Sequence, residues 1–535
     1  MWLDGFVILL YFAAIFSLGL YMGRRQESLE SYALGNRSLP WWAILASILA
    51  SEISAATFFG TPEAGFRTLN FTYAQLCIGT ILGRVIVGRL FLKPYYQYNV
   101  VSIYQYLEKR FGLQTRRWAS MTFLVSRVLA SGTRLYVAGI LLVIAYKSFN
   151  GLSILPPGKE IAIFVIALVI ITVATTVYTA LGGLRAVVWT DVLQASILVI
   201  AMLTTIGILF FSFDGGWQTI REVVRAPRPD GLEQQPWAVL TTGFVDGGFL
   251  ANVRHILGSE FTLWSAFLGA TFITMATHGT DQDMVQRMLA AKNAKTGSKA
   301  VILSGLADLP IVIIFLFTGI LLYVFYQTHG LPWDPEHTDA VFPTFIVDFL
   351  PPGVRGLLVA ALFATAMGSL STALNALATT ATKDWYQSIF NPGATERQLL
   401  KAVRLLTVFF AILLIMVGSV TAWYSVTYGT EGILSIVLGI FGYTYGSLLG
   451  IFLLGMLTRK RGSDLGNSIA MICGFLTIAV LTNLVPLADW LHIDMPKIAF
   501  PWRVTIGTLA TFFVGLCFRT RREPASASAY DPSRI

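Results

Sequence analysis

The sequence predicts an all-α membrane protein with about 13 transmembrane helices, and three observations carry that reading. Of its 535 residues 55% are apolar and only 13% charged, and the mean hydropathy is +0.68. Soluble domains carry about 25% charged residues, the surface they need to cover a core. The apolar residues also come in blocks of about 20, the helix length that crosses a hydrocarbon slab of about 30 Å. Inside that slab the chain must close its own backbone hydrogen bonds, which selects a bundle of helices.

Candidate spans fall, in order, at 3–21, 41–62, 72–93, 118–146, 160–180, 187–211, 261–280, 300–326, 353–382, 403–424, 432–457, 467–487 and 500–518. The first has Asp4 at its leading end with Arg24 and Arg25 behind it. That is the reverse of a cleaved signal peptide, so it reads as a span with the N-terminus outside. From that start, basic residues fall in alternate loops: Arg37, then Arg116 and Arg117, Arg185, Lys292 and Lys295, Lys383 and Arg397, Arg459 to Arg461, and Arg519, Arg521 and Arg522 in the tail. This is the positive-inside pattern of a plasma (inner) membrane protein with a cytoplasmic C-terminus. Segment 212–260 departs from it with Arg221, Arg225, Arg228 and Arg254, but long loops weigh little in the rule. The net charge of +9 therefore reads as an orientation signal, with no nucleic-acid partner.

An accessory helix (1–22) precedes two groups of five spans, 41–211 and 261–457, separated by an external loop over 212–260. Accessory helices over 458–519 and a cytoplasmic tail over 520–535 follow. Five being odd, the second group is inverted relative to the first, as in inverted-repeat transporters. Cys77, Cys473 and Cys517 lie in apolar runs without metal or disulfide spacing and read as core residues. His329 and His337 stand near Asp334, Glu336 and Asp339; solvated loop residues are the stronger reading there, an external metal site the weaker. No Ser/His/Asp set, zinc motif or G-x-x-x-x-G-K-[ST] loop occurs, so neither an enzyme nor an ATP-driven pump is expected. A short polar tail after residue 518 offers no signalling domain for a membrane sensor, the weaker third class.

Polar residues inside spans are costly, so function is sought among them. The second span reads Ser47-Ile-Leu-Ala50-Ser51-Glu52-Ile53-Ser54-Ala-Ala-Thr57, with a carboxylate among hydroxyls. The sixth begins Trp189-Thr190-Asp191, the seventh holds Thr271, Thr274, Thr277 and His278, and the ninth reads Thr365-Ala-Met-Gly368-Ser369-Leu-Ser371-Thr372. A dehydrated Na⁺ is a hard cation that takes about five or six oxygens. The Ser369, Ser371 and Thr372 hydroxyls, with carbonyls freed where another helix unwinds, suit it. The same hydroxyls equally suit back-bonding to helix carbonyls or helix–helix contacts.

The chain resembles the sodium:solute symporter family. The residues that carry the likeness are Tyr178-Thr-Ala-Leu-Gly182-Gly183-Leu-Arg-Ala186 followed by Trp189-Thr-Asp191, together with Ser54-Ala-Ala-Thr-Phe58, Ser102-Ile-Tyr-Gln-Tyr-Leu-Glu-Lys-Arg-Phe111, Asp281-Gln-Asp-Met-Val-Gln286-Arg287 and Lys383-Asp384, in order from about residue 5 to 460. The resemblance implies a LeuT-type fold of two inverted five-helix repeats, each opening on a broken helix. It implies a main sodium site from backbone oxygens of Ala50, Ile53 and Thr365 and the hydroxyl of Ser369, and a second from Asp191, Ser371 and Thr372. Gly368 stands where the family usually has another Ser, which removes one side-chain ligand. Ala56 and Thr57, then Thr274 and Thr277, replace the polar residues of sugar-carrying members, and Asp308 replaces their Lys. Galactose-type recognition is therefore not expected.

Three charges stand out within the spans: Glu52, Arg134 and Asp308. Glu52 and Arg134 are expected to pair across the cavity of the empty carrier, leaving Arg134 to clamp a solute carboxylate with its two-pronged guanidinium, or else to form a structural ion pair. Ser54, Thr57, Gln75, Thr274, Thr277 and Tyr443 complete the solute candidates. For Tyr443, core packing is the stronger reading. The expected activity is Na⁺-coupled uptake of a small solute, a carboxylate or polyol, with H⁺ as the competing coupling ion. The expected partners are the bilayer, Na⁺ and that solute, with no further cofactor, in a monomer or weak oligomer.

Overall fold

The structure, a computed structural model, describes residues 2–23, 26–150, 152, 155–228, 235–335, 338–429, 433–484 and 498–520. Arg24, Arg25, Glu336, His337, Arg521, Arg522 and nearly all of the tail lie outside the described residues.

The described residues are almost entirely helical. The long elements are α1 (Trp2–Met22), α2 (Trp41–Glu52), α3 (Ala55–Thr68), α4 (Leu76–Ile86), α5 (Leu113–Phe149), α6 (Pro157–Phe211), α7 (Ala270–Gly279), α8 (Gln282–Leu289), α9 (Ala294–Thr328), α10 (Val354–Thr380), α11 (Glu396–Tyr428), α12 (Ile433–Leu457), α13 (Asp464–Leu481) and α14 (Phe500–Leu516). By length and composition eight described helices can cross a membrane, nine when the bent pair α2 and α3 is counted as one span. The expected 13 is not reached on that measure: the seventh expected span is helical only over 265–279, too short to count, and two further reasons apply. Spans 160–180 and 187–211 merge into the 55-residue α6, about 80 Å long at 1.5 Å per residue and far too long for one crossing. The apolar segments 441–457 and 500–516 are short.

Within α6 the kink is at Gly183, with φ 58° and ψ −161°. A Cβ there would lie 2.6 Å from the Tyr32 carbonyl oxygen, so both the left-handed backbone and the close approach call for glycine. The kink breaks up the expected signature run at the position where α6 must turn.

The helices divide by burial. Only 17% of the most apolar window of α1 is buried, against 83% for the span that contains α10. α1 is thus a peripheral, lipid-facing helix and α10 the centre of the bundle, packed on α6, α2 and α11. Without a hydrophobic drive between helices in lipid, small residues set how closely backbones approach. α3 and α9 use that device: a Cβ on Gly319 would sit 1.9 Å from the Pro62 oxygen, and one on Gly65 2.2 Å from the Leu316 oxygen.

Replacing Gly319 by Leu is therefore expected to force α3 and α9 apart and to cost at least about 1–3 kcal/mol. Gly207→Leu, where an added Cβ meets nothing within 4 Å, is the matched control with little change. Thermal unfolding in detergent checks both.

Candidate functional site

The second span is interrupted, as its sequence led us to expect. α2 ends at Glu52, α3 begins at Ala55, and their axes differ by 71°. Ile53 (φ −77°, ψ 93°) and Ser54 (φ −90°, ψ 170°) are extended between them. A helix end leaves its last carbonyls without intrahelical donors, so Ala50 and its neighbours present oxygens at the break. The unbroken helix α10 lies against this point. A Cβ on Gly368 would be 3.2 Å from the Ala50 oxygen. One residue on, the Ser369 hydroxyl donates to the carbonyls of Thr365 (3.0 Å) and Ala366 (3.2 Å). The Ala50 carbonyl thus faces α10 at Gly368, the residue before Ser369, while Ile53 sits in the break itself.

The second predicted set is arranged differently. Asp191 is fully buried; its Oδ2 accepts from the Ser47 hydroxyl at 2.5 Å and lies 3.6 Å from Arg287 Nη2. Ser371 donates to the Gly368 carbonyl, and Thr372 to the Ser369 carbonyl (2.8 Å), with Asp283 Oδ2 3.5 Å away. The hydroxyls are therefore satisfied within α10, and the groups that approach Asp191 are Ser47 and Arg287.

A cavity of about 290 Å³ opens beside the break. Four predicted solute residues line it: Glu52, Arg134, Thr274 and Thr277, with Ser369 on the same wall. Ser54, Thr57, Gln75, Asp308 and Tyr443 are absent from its described lining. Gln75 Oε1 accepts from the Thr241 amide, which ties it to the outer segment, and the Tyr443 hydroxyl accepts from Thr482. The aromatics that reach the cavity from α12 are instead Phe441 and Tyr445, the latter's hydroxyl donating to Asp281.

The expected Glu52–Arg134 pair does not form. Arg84 on α4 donates to both oxygens of Glu52 (2.6 Å to Oε2), and His278 Nε2 on α7 lies 3.0 Å from Oε1. Asp308 stands behind this pair, 3.7 Å from the same Arg84 nitrogen, and Ser304 accepts from Arg84 Nη1. The counter-charge thus comes from α4 and α7 rather than from α5. Arg134 then has no carboxylate within salt-bridge distance among the described residues; its guanidinium carbon lies 5.0 Å over the Phe441 ring at the cavity wall. Below it, Arg127 Nη2 contacts Asp281 Oδ2 and Asp283 Oδ2, the latter at 2.9 Å, and Arg287 Nη1 donates to Asp283 Oδ1 at 2.7 Å.

Sequence reasoning counted three intramembrane charges and missed Arg84 and Arg127. Both stood in plain view as bases inside apolar runs, the signal that had singled out Arg134. His278 stood among the polar residues of the seventh span but without a partner assigned, and Asp283 lay in the motif that follows that span.

Comparison with known proteins places these features. The sequence profile described as the sodium:solute symporter family matches residues 32–474. The sodium/sialic acid symporter NanT of Aliivibrio fischeri is 27% identical over 479 residues, 89% of this chain and 87% of that one. The sodium-coupled monocarboxylate transporter 1 of Mus musculus is 26% identical over 531 residues, 98% of this chain and 79% of that one. Among solved structures, a substrate-bound, outward-open Na⁺-coupled sialic acid symporter superposes with a TM-score of 0.77 at 24% identity, covering 96% of this chain and 97% of that one. The fold is thus the LeuT-type fold that the sequence led us to expect.

Removing one partner of a buried ion pair costs about 3–5 kcal/mol, because the other charge stays behind unpaired. Arg84→Met is expected to lose stability on that scale, and Glu52→Gln added to it to restore most of the loss. Thermal unfolding of the two variants in detergent checks this.

Proposed function

The chain belongs to the sodium:solute symporter family, and from that membership we propose how its own residues couple Na⁺ entry to solute uptake. It is a multi-pass membrane transporter, a Na⁺-coupled solute symporter and not an enzyme. In the proposed reading the coupling ion binds where α2 breaks, held by the Ala50, Ile53 and Thr365 carbonyls and the Ser369 hydroxyl. The observation that carries it is the 71° break pressed against α10 at Gly368. Bound there, Na⁺ ties α2 to α10 and favours the outward-facing state, and the solute then allows closure. Coupling is this difference in affinity between states. Asp191, with Ser371 and Thr372, is the candidate for a second cation.

The solute in this reading carries a carboxylate. Support comes from Arg134, a cavity-facing guanidinium without an ion-pair partner among the described residues, suited to a two-pronged grip. The names of the relatives, sialic acid and monocarboxylate carriers, agree in chemistry. Glu52, Thr274 and Thr277 line the same cavity and offer acceptors and hydroxyls to the rest of the solute. The reading includes the N-terminus outside, the C-terminus in the cytoplasm, and five-helix repeats over 41–211 and 261–457, working as a monomer or weak oligomer in the bilayer. The distribution of basic loops supports that orientation.

Proteoliposomes with an imposed inward Na⁺ gradient are expected to accumulate labelled organic acids, and those with choline or a proton gradient alone are not. Equal accumulation without sodium overturns the coupling. Ser369→Ala is expected to raise the Na⁺ concentration for half-maximal uptake by about 10-fold, the loss of one ligand costing about 1.4 kcal/mol or more. Arg134→Lys keeps the charge but loses the fork, so anion uptake falls while binding of Na⁺, followed by thermal shift, does not. Unimpaired anion uptake by that variant overturns the clamp.

A further inference from the structure

A guanidinium that is to grip a visiting carboxylate needs support that leaves its N–H fork free. A carboxylate neighbour would occupy the fork, and no neighbour at all would leave a long side chain with its full rotamer freedom to lose on binding. The face of an aromatic ring avoids both faults. A cation within about 6 Å of a ring centre is attracted to that face, more strongly where water is scarce. A guanidinium laid on a ring spends its flat face and keeps its N–H edge.

Phe441 on α12 offers such a face to Arg134 on α5. Among the described residues Arg134 makes no ion pair and donates no hydrogen bond, and its guanidinium carbon lies 5.0 Å from the centre of the Phe441 ring. Both side chains line the cavity. The ring is itself held in place. Phe441 is 5% exposed, its centre lies 4.5 Å from that of the Tyr445 ring, and the Tyr445 hydroxyl donates to Asp281 at the start of α8. Arg127 comes to 6.0 Å from the same ring, but Asp281 and Asp283 already neutralise it. Arg134 is thus the cation at this ring whose charge stays available.

We propose that Phe441 is a positioning residue for the solute: its ring supports the Arg134 guanidinium with the fork open to the cavity, and so sets the preference for a carboxylate. Phe441 acts through Arg134, so the inference rests on the clamp described under the proposed function.

The test follows Na⁺-driven uptake of labelled sialic acid and lactate by the full chain in proteoliposomes, with half-saturation and maximal rate measured separately. Phe441→Leu removes the π face and is expected to raise the half-saturating carboxylate concentration about 5-fold, with little change in maximal rate. Phe441→Tyr keeps the face and is expected to stay near the parent. A pentafluorophenyl ring at position 441 keeps the shape but reverses the polarity of the face, so it is expected to behave as the leucine variant does. Stabilisation by NaCl over choline chloride is expected to match the parent in all three, which separates a lost clamp from a damaged fold. A fluorinated ring that leaves carboxylate half-saturation at the parent value overturns the proposal, whatever the leucine variant does. A parent that accumulates neither carboxylate, or an Arg134→Lys variant with unchanged anion uptake, instead overturns the clamp on which it rests.

Discussion

The interruption between α2 and α3 is the constraint on which the rest of the structure depends. A helix that stops in the middle of a membrane leaves backbone carbonyls without donors in a medium that supplies none, and irregular backbone survives there only where it lines a cavity or is covered by protein. The bundle covers it with α10, brought within contact of the Ala50 carbonyl because residue 368 has no side chain. The same proximity that shields the break also gathers oxygens from two helices in one place. In the proposed reading, structural necessity and cation affinity share one set of atoms, and a motion that separates α10 from α2 would dismantle the site.

Electrostatics around the cavity follow from the same economy of buried charge. Glu52, one residue before the break, is held by Arg84 with His278 beside it, and Asp281 and Asp283 are held by Arg127 and Arg287. Apart from Arg287 and Asp283, four residues apart on α8, these pairs join residues of different segments, so the ion pairs link helices as well as neutralising charge. Arg134 is the cavity cation that this lattice leaves over, stacked on an aromatic ring in place of a carboxylate. A guanidinium so placed is costly to keep in low dielectric unless an anion visits it, which gives its position a physical purpose in a carrier.

Close helix contacts supply the rigidity that such a site needs. α3 meets α9 through Gly65 and Gly319, and α7 meets α4 at Gly79 and Gly83, where added Cβ atoms would strike Ala266 and Thr274. The first of these contacts holds α3, on one side of the break, firmly against α9.

The class of the protein was legible in the sequence by itself, since apolar blocks of membrane length and basic residues in alternate loops are properties of composition and spacing. The break in the second span came only with the family resemblance, since the polar residues Ser51, Glu52 and Ser54 marked a functional place there but not an interruption. Two things were decided only by tertiary structure. The count of separate helices was one: Gly183 lets a 55-residue helix pass for a single element, and whether a glycine is a kink or a plain helical residue depends on the Tyr32 backbone packed against it. The partner of Glu52 was the other. Sequence marks a buried charge as needing a counter-charge but does not say which of several helices stands nearest, and here α4 carries Arg84 to Glu52 while Arg134 on α5 faces the cavity. A direct ion pair needs its atoms within about 4 Å, so the helix packing settles which charges meet and which stay unpaired.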